Sequence, residues 1–396
     1  MIDGSRMIEG YGVRRSWTRR VTARESPLRR LDWPLLLSVV ALSVLGSVLV
    51  WSATRAVLAE QGGDPQSFLK RHLLNLAVGF VLGGLVALLD YRLMRAYAPI
   101  LYVVSCAGLI AVLSPLGATI NGSHSWIVVG GGFQVQPSEF AKVGLIGLLA
   151  MLLGEPRDGE VGPGQRDILL VLGLAGLPAV LILLQPDLGT TLVFVAVILG
   201  MLAISGVRKT WLVGLGTAAA GGGLAVWWLG ILKPYQIARF TAFANPAADP
   251  RGAGYNARQA RIAVGSGGIF GKGLFHGGQT TGHFVPEQQT DFIFTVAGEE
   301  LGFVGAAVIL LLLGLILWRG LRIATQAADL FGRLLATGVV CWMAFQTFEN
   351  VGMTVGIMPI TGLPLPFVSY GGSATFANMI ALGLLQAVHL RRTPFD

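Results

Sequence analysis

Apolar runs of about twenty residues recur from one end of this chain to the other, and they fix its solvent before any motif is read. A helix of that length crosses the hydrocarbon core of a bilayer. In lipid the backbone must satisfy its own hydrogen bonds, so such runs fold as helices. Only 13% of the 396 residues are charged, about half the share of a soluble domain. The expectation is an all-α polytopic membrane protein.

The hydropathy pattern predicts ten helices, near 34–53, 73–89, 97–114, 137–153, 167–185, 188–205, 211–232, 291–318, 332–351 and 374–390. Gln185-Pro186-Asp187 breaks the long run over 167–205 into two. An even count puts both termini on one side. Lys and Arg in short loops decide which side, because they are retained in the cytosol. Arg92, Arg95, Arg157, Arg166, Arg208, Lys209, Arg319, Arg322, Arg333, Arg391 and Arg392 fall on the side of the N-terminal tail. The loops at 115–136, 186–187 and 352–373 carry neither residue, whereas Arg55, Lys70 and Arg71 dissent. Both termini are therefore expected in the cytoplasm. The parts are a basic tail over 1–33, a membrane domain over 34–390 with an outward loop at 233–290, and a short tail at 391–396.

The net charge of +8 comes largely from the first tail, where Arg6, Arg14, Arg15, Arg19, Arg20, Arg24, Arg29 and Arg30 precede the first span. Next to a membrane span this reads as cytosolic retention and contact with anionic lipid, not nucleic-acid binding. The tail is too long for a cleaved signal peptide. Cys106 and Cys341 both lie in apolar spans, so no disulfide or thiolate metal site is read from them.

Chemistry is expected where polar residues meet these spans. Asp291 sits between Thr290 and Phe292-Ile293-Phe294, where the long loop enters a helix, and Glu287 precedes it by one turn. Carboxylates at membrane depth are costly and mark function, and an apolar setting favours a basic carboxylate. Glu139 and Lys142 in Gln136-Pro137-Ser138-Glu139-Phe140-Ala141-Lys142 share a helix face and pair, either as a polar clamp or as the border of a reaction cavity. Trp126 closes a polar turn that starts at Asn121 and is either an interfacial anchor or part of the site. Asp187 either caps a helix or lines a re-entrant break. Arg239, Arg258, Arg261 and Lys272 stand among glycines in the long loop, a composition suited to phosphate contact or to a solvated surface. Gly271-Lys272-Gly273 fails the nucleotide P-loop pattern, because Ser266 and Gly273 stand where Gly and Ser or Thr are required. His276 and His283 lack a metal-ligand spacing. Ser369 and Ser373 belong to a bent, polar entry to the last span, and Glu349 and Asn350 on the preceding span face the same interior.

Taken together, QPSEFAK, QPDLGT, DPRGAGYNARQ, GKG, VPEQQTDFIF with GEELG, and PFVSYGGS resemble, in order and spacing, the shape, elongation, division and sporulation family typified by RodA and FtsW. The likeness runs from the first helix to the end of the last span. It implies ten transmembrane helices and a peptidoglycan glycosyltransferase that polymerises lipid II beside a class B penicillin-binding transpeptidase. By position, Asp291 matches the family's essential acid, and Trp126, Glu139 and Lys142 match its other marked residues. Val285 replaces the family's usual leucine.

This chemistry suits the residues. A sugar hydroxyl is a poor nucleophile and needs a base, for which Asp291 is the candidate. A lipid pyrophosphate leaves as a stable anion and needs positive charge, from a divalent cation (Mg or Mn) or from Arg239, Arg258, Arg261 or Lys272. The paired acids of a glycosidase are absent for this reason. An elongation enzyme of the RodA kind is the first expectation, with a division enzyme of the FtsW kind second. A lipid II flippase and a transpeptidase-recruiting scaffold are the competing classes, and neither requires a catalytic base at Asp291.

Overall fold

The computed structural model describes residues 30–120, 123–129, 133–154, 162–230, 234–249 and 252–392. Arg6 to Arg29 of the basic tail, the Asn121-Gly122 pair, Arg157 and Arg251 lie outside the described residues.

The first three helices are α1 (Trp33–Glu60), α2 (Ser67–Leu88) and α3 (Tyr91–Leu113). A small antiparallel sheet follows, with β1 (Gly117–Ile120), β2 (Ser123–Val129) and β3 (Phe133–Val135) in that order. Then come α4 (Pro137–Leu153), α5 (Gln165–Leu184), α6 (Leu188–Ile204) and α7 (Lys209–Trp228). The long loop folds into α8 (Pro234–Ala244), a 3-10 turn, α9 (Ala253–Ser266) and α10 (Gly278–Thr281). The chain ends with α11 (Ile293–Glu300), α12 (Gly302–Thr325), α13 (Leu330–Val355) and α14 (Gly372–Leu390).

Among the described residues seven helices are long and apolar enough to cross a membrane: α1, α2, α3, α5, α12, α13 and α14, with α6 a shorter apolar helix. The chain is a multi-pass, mainly helical membrane protein. α4, α5, α6, α7, α13 and α14 begin and end within four residues of the hydropathy prediction, whereas α1 runs seven residues further and α2 and α3 each begin six residues earlier. The run predicted over 291–318 is two helices, because Gly302 takes a left-handed φ of 66° and breaks the path after Glu300. The loop at 115–136 carries the three-stranded sheet, which aligns Ala118 with Trp126 and Gln134 with Val128.

Aspartates start several helices. Asp32 caps α1 through Leu35 N at 3.1 Å, and Asp187 caps α6 through Thr190 N at 3.0 Å. Asp329 caps α13 through Gly332 N at 2.7 Å. Each supplies an acceptor to an otherwise orphaned amide of a first turn. α13 stops at Gly356, whose φ of 84° closes a left-handed cap.

The core lies between α1, α4, α6, α13 and α14, where Leu35, Leu42, Leu145, Ile146, Phe194 and Trp342 are fully buried. α14 packs along α2 at backbone distance: a Cβ on Gly83 would strike the Met379 carbonyl, and one on Gly383 the Gly83 carbonyl. Small residues permit such approach where helix association depends on packing.

The polar contacts separate into two ends. At one, Arg319 holds the buried Asp32 by Nε at 2.9 Å and Nη2 at 2.5 Å, while Gln386 bonds the Asp32 backbone. At the other end Asp291 on the α7–α11 connection meets Gly362 of the α13–α14 connection and the charge of Asp187 between α5 and α6, and the α3–α4 connection joins through Gln136 on Asp187.

Candidate active site

Asp291 occupies a turn just before α11, outside the seven spans. The turn is tight because the Glu287 carbonyl accepts the amides of Thr290, Asp291 and Phe292 at 3.1–3.2 Å. Glu287 itself has φ of 52°, a conformation that costs a non-glycine residue about 1 kcal/mol or more. Its carboxylate accepts from Thr290 Oγ1 at 3.2 Å. Phe292, Ile293 and Phe294 are buried behind the acid.

Desolvation, followed by the nearby Glu287 carboxylate and more weakly Asp187, pushes Asp291 up to about 7. The Thr290 hydroxyl and Arg239 act in the other direction. A carboxyl with that proton affinity is half ionised at neutral pH, which suits a general base.

A strap of irregular chain over 361–365, between α13 and α14, walls the acid. Gly362 has φ of 82°, and a Cβ there would stand 3.3 Å from Asp291 Oδ2. Asn350 Nδ2 reaches both the Asp291 carbonyl and the Leu363 carbonyl, each at 2.7 Å. Arg239 Nη1 donates to the Thr361 carbonyl at 3.5 Å, which puts a cation at the edge of the same strap. Arg239 and Arg261 line one cavity with Phe243, Met353, Met358 and Ile360.

Glu139 and Lys142 form an ion pair of 2.7 Å with the side chains 1% and 0% exposed. Lys142 Nζ also donates to Gln346 Oε1 at 3.1 Å and lies 4.4 Å from the centre of the Trp342 ring. Asp187 joins this region through Gln136 Nε2 at 3.3 Å while it caps α6, so the capping reading of Asp187 holds.

Other expected residues have different employment. Lys272 does not turn to the acid: its Nζ is tied to Glu299 Oε1 and Ser266 Oγ, each at 2.8 Å. Glu299 is buried and also accepts Gln279 N and Thr280 N, at 2.9 and 2.8 Å, so the pair pins the loop. Arg258 is exposed on α9 and is absent from the cavity wall. Ser369 Oγ accepts Leu365 N at 2.8 Å, and Ser373 Oγ accepts Gln136 N at 3.0 Å, so both tie backbone together. Trp126 is half-buried on β2. Gln346, absent from the sequence expectations, bridges the ion pair and the strap. An amide one turn before Asn350 on a span was its available signal.

A family model for FtsW, RodA and SpoVE, described as "Cell cycle protein", matches residues 33–393. Stage V sporulation protein E of Bacillus subtilis is 38% identical over 92% of this chain and 97% of its own length. Peptidoglycan glycosyltransferase MrdB of Escherichia coli is 36% identical over 91% and 94%. A solved structure described as the coordination of polymerization and crosslinking by a peptidoglycan synthase complex superposes with a TM-score of 0.75 at 34% identity, covering 92% of this chain and 99% of that one. The crystal structure of the rod shape determining protein RodA of Thermus thermophilus gives 0.66 at 32%, over 92% and 98%. The chain belongs to the FtsW/RodA/SpoVE family of cell cycle proteins.

Proposed function

We propose that this protein is a peptidoglycan glycosyltransferase that polymerises lipid II into glycan strands, with Asp291 as general base. The observation that carries the reading is a carboxyl held near neutral proton affinity against the 361–365 strap, with a guanidinium at the strap's edge. Asp291 takes the proton of the acceptor sugar hydroxyl as that oxygen attacks the anomeric carbon of the donor. The bond to the lipid pyrophosphate breaks on the opposite face, which inverts an α-linked donor to a β-1,4 product. The pyrophosphate departs as an anion and needs cations rather than an acid. We assign that role to Arg239 and Arg261, which line one cavity beside the strap, and not to Lys272, which is engaged with Glu299.

The divalent cation expected with a pyrophosphate would ride on the substrate. Among the described residues no group of three His, Cys, Asp or Glu side chains is arranged to hold one.

We place the protein in the bacterial plasma membrane with the Asp291 end outward, and assign it a class B penicillin-binding transpeptidase as partner. The outward placement rests on the Lys and Arg distribution of the short loops. The partner is supported by the likeness to a synthase complex. An elongation role is supported by the RodA structures and the MrdB relative, and the FtsW relatives, 39% and 41% identical, support a division role as the alternative.

The test is polymerisation of fluorescent lipid II by the purified full-length protein, read as glycan ladders. Ladders sensitive to lysozyme are expected. Transfer of lipid II across vesicles without any glycan product would replace the polymerase with a flippase.

A further inference from the structure

The strap over 361–365 contains Pro364 and is followed by Pro366, and neither has an N–H to give to a hydrogen-bond ladder. Its carbonyls must find other donors, because buried unpaired carbonyls are costly. Two amides one turn apart on α13 supply them. Asn350 donates to the Leu363 carbonyl and Gln346 Nε2 to the Pro364 carbonyl, both at 2.7 Å. Both side chains are fully buried. Asn350 also holds the Asp291 carbonyl at 2.7 Å, so acid and strap share one donor.

The orientation of Gln346 is forced. Its Oε1 accepts Lys142 Nζ at 3.1 Å and Trp342 Nε1 at 2.6 Å, and neither of those groups accepts a hydrogen bond. Only the NH2 side is left to face Pro364. The buried Glu139–Lys142 pair thereby fixes an amide, the amide fixes the strap, and Gly362 of the strap lies against Asp291.

We propose that Gln346 and Asn350 are positioning residues, and that Lys142 acts through Gln346 to set the wall against which Asp291 works. This rests on the reading of Asp291 as the base.

The experiment measures initial rates of lipid II polymerisation, across pH and substrate concentration, for full-length Gln346→Glu, Asn350→Asp and Gly362→Ala. Gln346→Glu is decisive, because a carboxylate pairs better with Lys142 yet turns an acceptor toward the Pro364 carbonyl. A merely structural ion-pair role predicts wild-type rates in that variant. The positioning role predicts a kcat at least about tenfold lower with KM within about threefold. For Gly362→Ala, which adds no charge, it also predicts an acid limb displaced about one pH unit downward, as water reaches the acid, whereas the carboxylates introduced at 346 and 350 oppose that shift and those variants are read by kcat. The groups that titrate or carry charge around Asp291 are Glu287 in its own turn, Arg239 on α8 and Asp187 before α6, with Glu349 of α13 facing Thr361 of the strap. None of them is altered by these substitutions. Gly362→Ala displaces the strap without touching either amide, so it gives the same signature if an amide variant fails to fold. Wild-type kcat and pH profile in any folded member of the three overturns the proposal. Asp291→Asn in parallel separates the two claims: its activity would remove the base, whereas its inactivity beside unaffected amide variants removes only the positioning role.

Discussion

Lys142 Nζ lies 2.7 Å from Glu139 Oε1, one turn away on α4, and the two side chains are 0% and 1% exposed. A buried pair of this kind adds little net stability over an apolar pair, but breaking it strands a charge. Lys142→Met alone is therefore expected to cost about 3–5 kcal/mol, and the double variant Glu139→Leu, Lys142→Met to recover most of it. Thermal unfolding in detergent measures both. The double variant should remain a poor polymerase, because Gln346 Oε1 has lost one of its two donors.

The acid at 291 gives a pH dependence with a defined sign. The protonated carboxyl cannot accept a proton, so polymerisation should rise with pH through about 7 and fall to about a tenth of its plateau at pH 6. Stability runs in the opposite direction. The folded chain holds this proton more tightly than the unfolded chain, so that contribution is complete below the ordinary carboxylate value of 3.8 and is lost as pH rises through about 7. Asp291→Asn should then melt higher than the wild type at pH 8, with the gap closing towards pH 4. A constant gap across that range would remove the perturbed proton affinity.

At the opposite end of the bundle, Asp32 is 2% exposed and held by Arg319, Gln386 and the Leu35 amide. Arg319→Ala should lower stability by about 3–5 kcal/mol. The clamp is remote from Asp291, so the rate per folded molecule should not change. Unfolding curves and rates normalised to the monodisperse fraction check both halves.

The engagement of Lys272 with Glu299 predicts a contrast among the loop cations. Lys272→Met should leave inhibition by added lipid pyrophosphate within about threefold, while exposing the loop at 271–283 to limited proteolysis. Arg239→Met should weaken that inhibition by about tenfold, the worth of one charge-assisted contact. Equal effects from the two variants would argue against the assignment of the leaving-group cation.

Much of this architecture was legible in the residues. The spans follow from hydropathy, because burial in lipid demands long apolar runs regardless of tertiary detail. The acid at 291, the Glu139–Lys142 pair and the interior placement of Asn350 were readable because charged and amide groups are rare in such runs. The break at Gly302 was not read: the Glu299-Glu300 pair before it fell inside the predicted span, and only the turn made against Gly271 demands a left-handed glycine. The tie from Lys272 to Glu299 spans 27 positions and has no local signature. The small sheet had no such signal, because Ser123-His124-Ser125-Trp126-Ile127 is three polar residues followed by two apolar ones and does not alternate.

The most direct measurement is the initial rate of lipid II polymerisation by purified Asp291→Asn, with folding verified by thermal unfolding. Loss of a positioned base predicts a rate lower by about 10²–10⁴-fold at pH 8, with lipid II still bound. A folded Asp291→Asn protein that polymerises within a few fold of the wild type would contradict the account.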